Sequence, residues 1–225
     1  MGLDWIPLNK AKPGKEKEFE ERFLILTGKK EIELSLIDKL TGRKEEKMKS
    51  LSEAFLADAI LPYDTLNPPR VGYDDKANIW AKTKFEDRLD KSLTLAEFMK
   101  EMNGYYALDL LPRHDGFPPY ISWQYEKHIF RAQFLINDCK DLLGADLLAE
   151  AYQSQLSKDT VNFGQRLMKL ADNYAIENRL QHLKHQRELP DTEDDSPERK
   201  VHIIFSAAKW LLWWGERGHG YQTES

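Results

Sequence analysis

Apolar positions recur at helical spacing through much of this chain and are densest near its end. Residues 201–214 read Val-His-Ile-Ile-Phe-Ser-Ala-Ala-Lys-Trp-Leu-Leu-Trp-Trp. The segment is apolar nearly all round, so it is expected to form a helix buried on most of its surface. Ser196 as cap, Pro197 at the first helical position and Glu198 in the first turn mark its start, and Gly215 its end. A long helix is predicted before it, from a cap at Ser157 or Asp159 to about Leu189, with Phe163, Leu167, Leu170 and Tyr174 on one face and Pro190 as its stop. A shorter helix over 145–155 follows a break near Gly144. From Tyr120 onward, Tyr120, Trp123, Lys127, Phe130, Phe134 and Asn137 trace one mostly apolar helical face. These elements read as an antiparallel bundle of three or four helices.

The first half is less regular. A helix is expected over 14–27, with Phe19, Phe23 and Leu26 at helical spacing and Gly28 as a left-handed stop. Residues 31–40 fit a short helix or a strand equally well. A second helix is expected over 44–60, with Met48, Leu51, Phe55 and Ala59 on one stripe and Pro62 ending it. Residues 63–75 hold Asn67-Pro68-Pro69 and Gly72 and read as a loop. Thr94 and Glu97 form a Thr-x-x-Glu capping box for a short helix ended by Asn103-Gly104. Residues 105–111 are the best strand candidate, without an obvious partner. Residues 111–120, with Pro112, Gly116, Pro118 and Pro119, form a second long loop, of a length that tends to be functional or mobile. The expected class is mainly α: one domain over 1–225, with helices and Pro-rich loops in 1–119, a helical bundle in 120–225 and minor β.

Composition narrows the setting. The 225 residues are 41% hydrophobic and 32% charged, enough for a core under a well-solvated surface. A net charge of -5, with Glu interspersed among the Lys and Arg, argues against a nucleic-acid partner. Cys139 is the single cysteine and no Asn-X-Ser/Thr sequon occurs, so a cytoplasmic location is expected. No secretory leader pattern opens the sequence, and the longest apolar run, 210–214, is far short of the ~20 residues that cross a bilayer, so no membrane partner is expected.

Candidate chemistry sits first in the two loops. Arg70, Tyr73, Asp74 and Asp75 lie in one, and Arg113, His114, Asp115 and Tyr120 in the other. Were they to meet, Arg70 and Arg113 would clamp a carboxylate or phosphate, and His114 would exchange a proton, oriented by Asp74, Asp75 or Asp115. The competing reading is plain turn chemistry with surface ion pairs. His182 and His185 are three apart on the predicted long helix and would chelate a metal given a third ligand from Glu126, His128 or His202. A basic last turn explains both histidines more simply, and no Glu-x-x-His pair of the diiron bundles occurs. Trp210, Trp213 and Trp214 fit a core better than a ligand pocket or partner surface. The acidic stretch 191–195 fits a solvated link at a helix N-terminus, since a calcium loop fails on spacing. Cys139, within a predicted helix, fits an inert buried thiol. No nucleophile elbow, phosphate loop or dinucleotide fingerprint is present, so no cofactor is named. The sequence therefore favours a non-catalytic module that binds a partner protein or a second copy through its aromatic helices. The alternative is an enzyme or small-ligand binder for an anionic substrate, using the two loops.

Overall fold

The computed structural model describes residues 2–33, 43–88, 92–111, 120–124, 127–193 and 195–224. The chain enters through two short strands, β1 (Asp4–Pro7) and β2 (Lys10–Ala11), before helix α1 (Glu16–Leu26). Phe19 and Phe23 are the buried face of α1, as their spacing predicts. Helix α2 (Lys44–Ala57) sets Phe55 against Phe19, with ring centroids 4.2 Å apart. It ends before the predicted residue 60, because strand β3 (Ala59–Ile60) turns away to pair with β2. Arg22 holds that exit by donating to Asp58 Oδ2 at 2.5 Å and to the Ala54 carbonyl. The stretch 31–40, open to either reading, lies mostly outside the described residues.

The predicted loop 63–75 contains a helix, α3 (Pro62–Leu66), which Pro62 starts. Its first-turn position suits proline, whose missing N–H would be unpaired there anyway. Helix α4 (Asp75–Glu86) follows and was not legible as a helix: Ala77 and Ala81 are its buried residues, and small side chains carry little periodic signal. Helix α5 (Leu95–Glu101) begins at the predicted capping box, with both reciprocal bonds of Thr94 and Glu97 formed. A small core of Val71, Ala77, Ala81, Phe98 and Ala107 lies between these elements. Residues 105–111 are not a strand. They make one bridge, Tyr106 to Arg70, and then a 3-10 turn, Leu108–Leu110; among the described residues no longer strand pairs with them.

A second correction falls on 120–137. Strands β4 (Ile121–Gln124) and β5 (Lys127–Phe130) form a hairpin, and only then does helix α6 (Gln133–Asp138) begin. The β-branched and aromatic residues of this stretch suit a pleated surface, and Phe130 finds a partner opposite Trp5 in β1. Tyr120, Phe130 and Phe134 still converge, with Tyr120 centroids 6.4 and 5.4 Å from the other two, although no single helix carries them. Helix α7 (Lys140–Ala151) is broken at Gly144 (φ 70°), as predicted, and ends short of 155. Helix α8 (Ser157–Asn178) starts without a side-chain cap; Ser157 and Asp159 are already inside it. It stops at Arg179 (φ 61°), not near Leu189, and 181–185 form a separate 3-10 turn. Helix α9 (Pro197–Gly215) is capped by the Ser196 hydroxyl, which accepts from the Arg199 N–H at 3.2 Å. Strand β6 (Tyr221–Glu224) ends the described chain.

α9 is the central post of the larger core. Trp210, Leu211 and Trp214 are essentially inaccessible and Trp213 nearly so, which places the tryptophans in the core. α8 lies antiparallel along it at very close range. A Cβ on Gly164 would meet Leu211 and Leu212 side chains at 3.1 and 3.0 Å, and one on Gly215 would meet Val161 at 2.6 Å. The antiparallel sheet, in the order β4-β5-β1-β6, covers another side. Its central Trp5 packs on Phe130, Phe163, Trp210 and Tyr221 with centroids 5.1 to 6.1 Å apart, and donates from Nε1 to the Ala151 carbonyl at 2.8 Å. Burying such a side chain contributes about 1.5–3 kcal/mol. Among the described residues no helix is long and apolar enough to cross a membrane.

Candidate functional site

Arg70 stands at the base of the turn that starts α4. Its carbonyl accepts from the Tyr73 and Asp74 N–H groups, and Asp74 Oδ1 then accepts from Lys76 and Ala77 N–H at 2.8 and 3.3 Å, capping the helix. Across from it, Val71 N–H donates to the Tyr105 carbonyl, and Gly104 N–H to the Val71 carbonyl, tying 69–71 to 104–107. This frame fixes the Arg70 side chain. The guanidinium lies 5.1 Å from the Tyr73 ring centroid and 4.8 Å from that of Tyr106, and Nε donates to the Gly104 carbonyl at 3.2 Å. Tyr106 in turn stacks on Tyr63 at 5.4 Å and donates its hydroxyl to Asp64 at 3.0 Å.

A second stack stands beside the first. Trp80 of α4 lies 6.1 Å from Tyr105 and donates from Nε1 to Asp109 Oδ2, which also pairs with Lys84 at 3.0 Å. Lys84, with help from Trp80, holds the Asp109 carboxyl below its ordinary range against the opposing effect of burial. Tyr73 and Ile79 are 73% and 64% exposed, so large apolar groups reach the surface beside Arg70. Between α4 and α5 an open depression of about 480 Å³ is lined by Gly72, Asn78, Lys82, Met99, Lys100 and Asn103, two cations and no carboxylate. Arg70 is not one of its lining residues but lies near Gly104, which follows the lining Asn103: a Cβ on Gly104 would sit 3.5 Å from Arg70 Nη2. Arg70, Lys82 and Lys100 form no ion pair among the described residues.

Other candidates land elsewhere. Asp74 is committed to capping, and Asp75 lies in the first turn of α4. Arg113, His114 and Asp115 lie outside the described residues, as does the loop they belong to. Tyr120 is buried in the large core, its hydroxyl 3.1 Å from His202 Nδ1. His182 and His185 are exposed on the 3-10 turn, not on the long helix, and no group of three metal-ligating side chains occurs among the described residues. Cys139 is buried and burial pushes its thiol up, as expected of an inert cysteine.

Sequence reasoning named His128 and His202 only as possible third metal ligands, and did not foresee that they and His219 are buried around α9. His202 Nε2 donates to the Gln186 carbonyl at 3.1 Å, which leaves Nδ1 to accept from the Tyr120 hydroxyl. His219 Nδ1 donates to the Leu8 carbonyl at 2.8 Å, and Nε2 accepts from the Thr65 hydroxyl at 2.7 Å. His128 Nδ1 accepts from the Trp214 indole at 3.0 Å. Desolvation lowers the basicity of His202, and takes His219 down to about 4. Both are therefore neutral near pH 7, and their paired nitrogens hold segments together across the core. The signal was faint: His202 sits in an apolar run, but nothing nearby in sequence announces His128 or His219 as buried. Neither a protein-family model, nor a characterised protein, nor a solved structure matches this chain.

Proposed function

We propose that this chain is a non-catalytic protein-binding module, in which a partner protein or a second copy docks on the aromatic and arginine surface of residues 61–111. The observation that carries the reading is Arg70. Its guanidinium is held between Tyr73 and Tyr106, it is anchored through Nε alone, and it forms no ion pair among the described residues. Arginine, tyrosine and tryptophan are the residue types that dominate binding energy at interfaces, and a stacked arginine loses little further freedom on binding. Exposed Tyr73 and Ile79 add apolar area beside it. The aromatic helix is a weaker candidate for this role, since its tryptophans are consumed by the core. The reading includes one domain over 1–225 and a cytoplasmic setting. The single cysteine supports the latter. A nucleic-acid partner is not part of it, given the net charge of -5.

Quantitative capture from extract with the wild-type chain and with Arg70→Ala and Tyr73→Ser tests this. At least one protein, or the chain itself, is expected to be retained by the wild type and reduced about tenfold by either variant, at unchanged melting temperature. Retention that ignores both substitutions would overturn the assignment. A second reading draws on the same Arg70: its guanidinium also suits the carboxylate or phosphate of a small ligand, with Arg113, His114 and Asp115, which lie outside the described residues, as the further candidates of the sequence. Saturable binding of a small anion, lost in Arg70→Ala and His114→Ala alike, would favour that reading.

A further inference from the structure

Two exposed sets of opposite charge stand out among the described residues. One, the strip, is Lys82 and Lys100, which line the depression between α4 and α5, with Arg70 near Gly104; all three are exposed and lack ion pairs among the described residues. Asn78 and Asn103 line the same depression. Asn78 already accepts the Gly72 N–H through Oδ1 at 2.7 Å, so its amide N–H₂ group remains a donor. The other set is the link before α9. Asp191, Glu193 and Asp195 are exposed. Asp195 pairs with Lys200 at 2.9 Å, while Asp191 and Glu193 form no ion pair among the described residues. The link is pinned at both ends: Pro190 is buried, and the Ser196 hydroxyl caps α9 and donates to Thr192 Oγ1 at 2.8 Å. Asp191 and Glu193 therefore flank Thr192, which is held to the Ser196 hydroxyl.

We infer that the strip of one copy receives the acidic link of a second copy. This rests on the docking surface proposed above and names its occupant. The chemistry matches in kind: cations on the strip face the carboxylates of Asp191 and Glu193, which form no ion pair among the described residues. A planar guanidinium held in place by two rings takes a carboxylate through two parallel N–H bonds, and the two ammonium groups beside it take the next. The three cations lie on a chain of net charge -5, so a basic surface here is a local departure from the whole. Charge complementarity of this exposed kind steers encounter and fixes register, and it weakens as salt screens it.

Two double variants test the inference, all at exposed positions that form no ion pair among the described residues: Lys82→Glu with Lys100→Glu on the strip, and Asp191→Lys with Glu193→Lys on the link. Sedimentation of the full chain is measured at ~0.1 M and ~1 M salt, where the Debye length is about 10 and 3 Å. The wild type is expected to self-associate at low salt and to dissociate at high salt. Each variant alone then carries like charge on strip and link and is expected to associate about tenfold more weakly. An equimolar mixture of the two restores opposite charges in both pairings, and its association is expected to recover. A wild type that stays monomeric at low salt, variants that associate as the wild type does, or a mixture that fails to recover would each overturn the inference. A monomeric wild type that still retains an Arg70-dependent protein in the capture experiment removes this occupant and leaves the docking surface standing. Failure of both removes the surface as well.

Discussion

His219 accepts the Thr65 hydroxyl on the one nitrogen that a second proton would need, inside a fully buried site. Burial is the main reason its basicity falls from the ordinary 6.5 to about 4, with Lys10 adding to it and the Leu8 carbonyl opposing it. The unfolded chain therefore takes up a proton at this ring first as the solution is acidified. The stability that the neutral ring contributes is complete above pH 6.5 and is lost as the pH falls toward 4. The gap corresponds to about 3 kcal/mol. Urea unfolding of the wild type is expected to weaken by that order between pH 7 and 4. His219→Gln should start less stable and show a shallower slope, with the remainder coming from His202, whose basicity is lowered in the same direction. Equal slopes in the two proteins would show that His219 is not the responsible ring. Arg70 is the opposite kind of residue. It is exposed and stacked, and its exposed ion pairs, were it to make any, would contribute little to stability. Its substitution should move binding and leave the melting temperature in place.

At the level of elements, the α8–α9 contact is the most extensive helix pairing among the described residues. Gly164→Val would push a branched side chain against Leu211 and Leu212 at about 3 Å and is expected to cost about 1–3 kcal/mol by overpacking. An unchanged denaturation midpoint would mean that the two helices are free to separate there. This contact also shows what was legible in the sequence. α9 was readable because thirteen of its residues are buried and nearly all are apolar, and its Ser-Pro start is a local signal. α1, the Thr94 capping box and the Gly144 break were readable for the same reason: each is encoded within a few neighbouring residues. The sheet was not. Its strands are at most four residues long, and β1 pairs Pro7 with Tyr221, a partner no local pattern can supply. Helical spacing over 120–137 misled because Tyr120, Phe130 and Phe134 do meet, but through a hairpin followed by a helix. The candidate site was half legible. Arg70 and Tyr73 were named from the residue types of one Pro- and Gly-punctuated loop, yet Tyr106, Trp80 and Lys100 join them only through the 69–71 to 104–107 bonds, which are long-range.

Across the whole molecule, the sheet places the start of the described chain beside its end, with β1 between β5 and β6 over the α8–α9 pair. The large core and the small core of residues 71–107 are separate clusters. The proposed docking surface is built over the small one, so binding there need not disturb the tryptophan post. This division makes a direct test available. Amide hydrogen exchange is followed for the chain alone and for the chain saturated with its captured partner or associated with itself. Slowed exchange is expected in residues 70–82 and 99–106, and also around Asp191 and Glu193 where the occupant is a second copy, with α9 already protected in both states. Slowing confined to other faces, with 70–82 and 99–106 unchanged, would contradict the proposed docking surface.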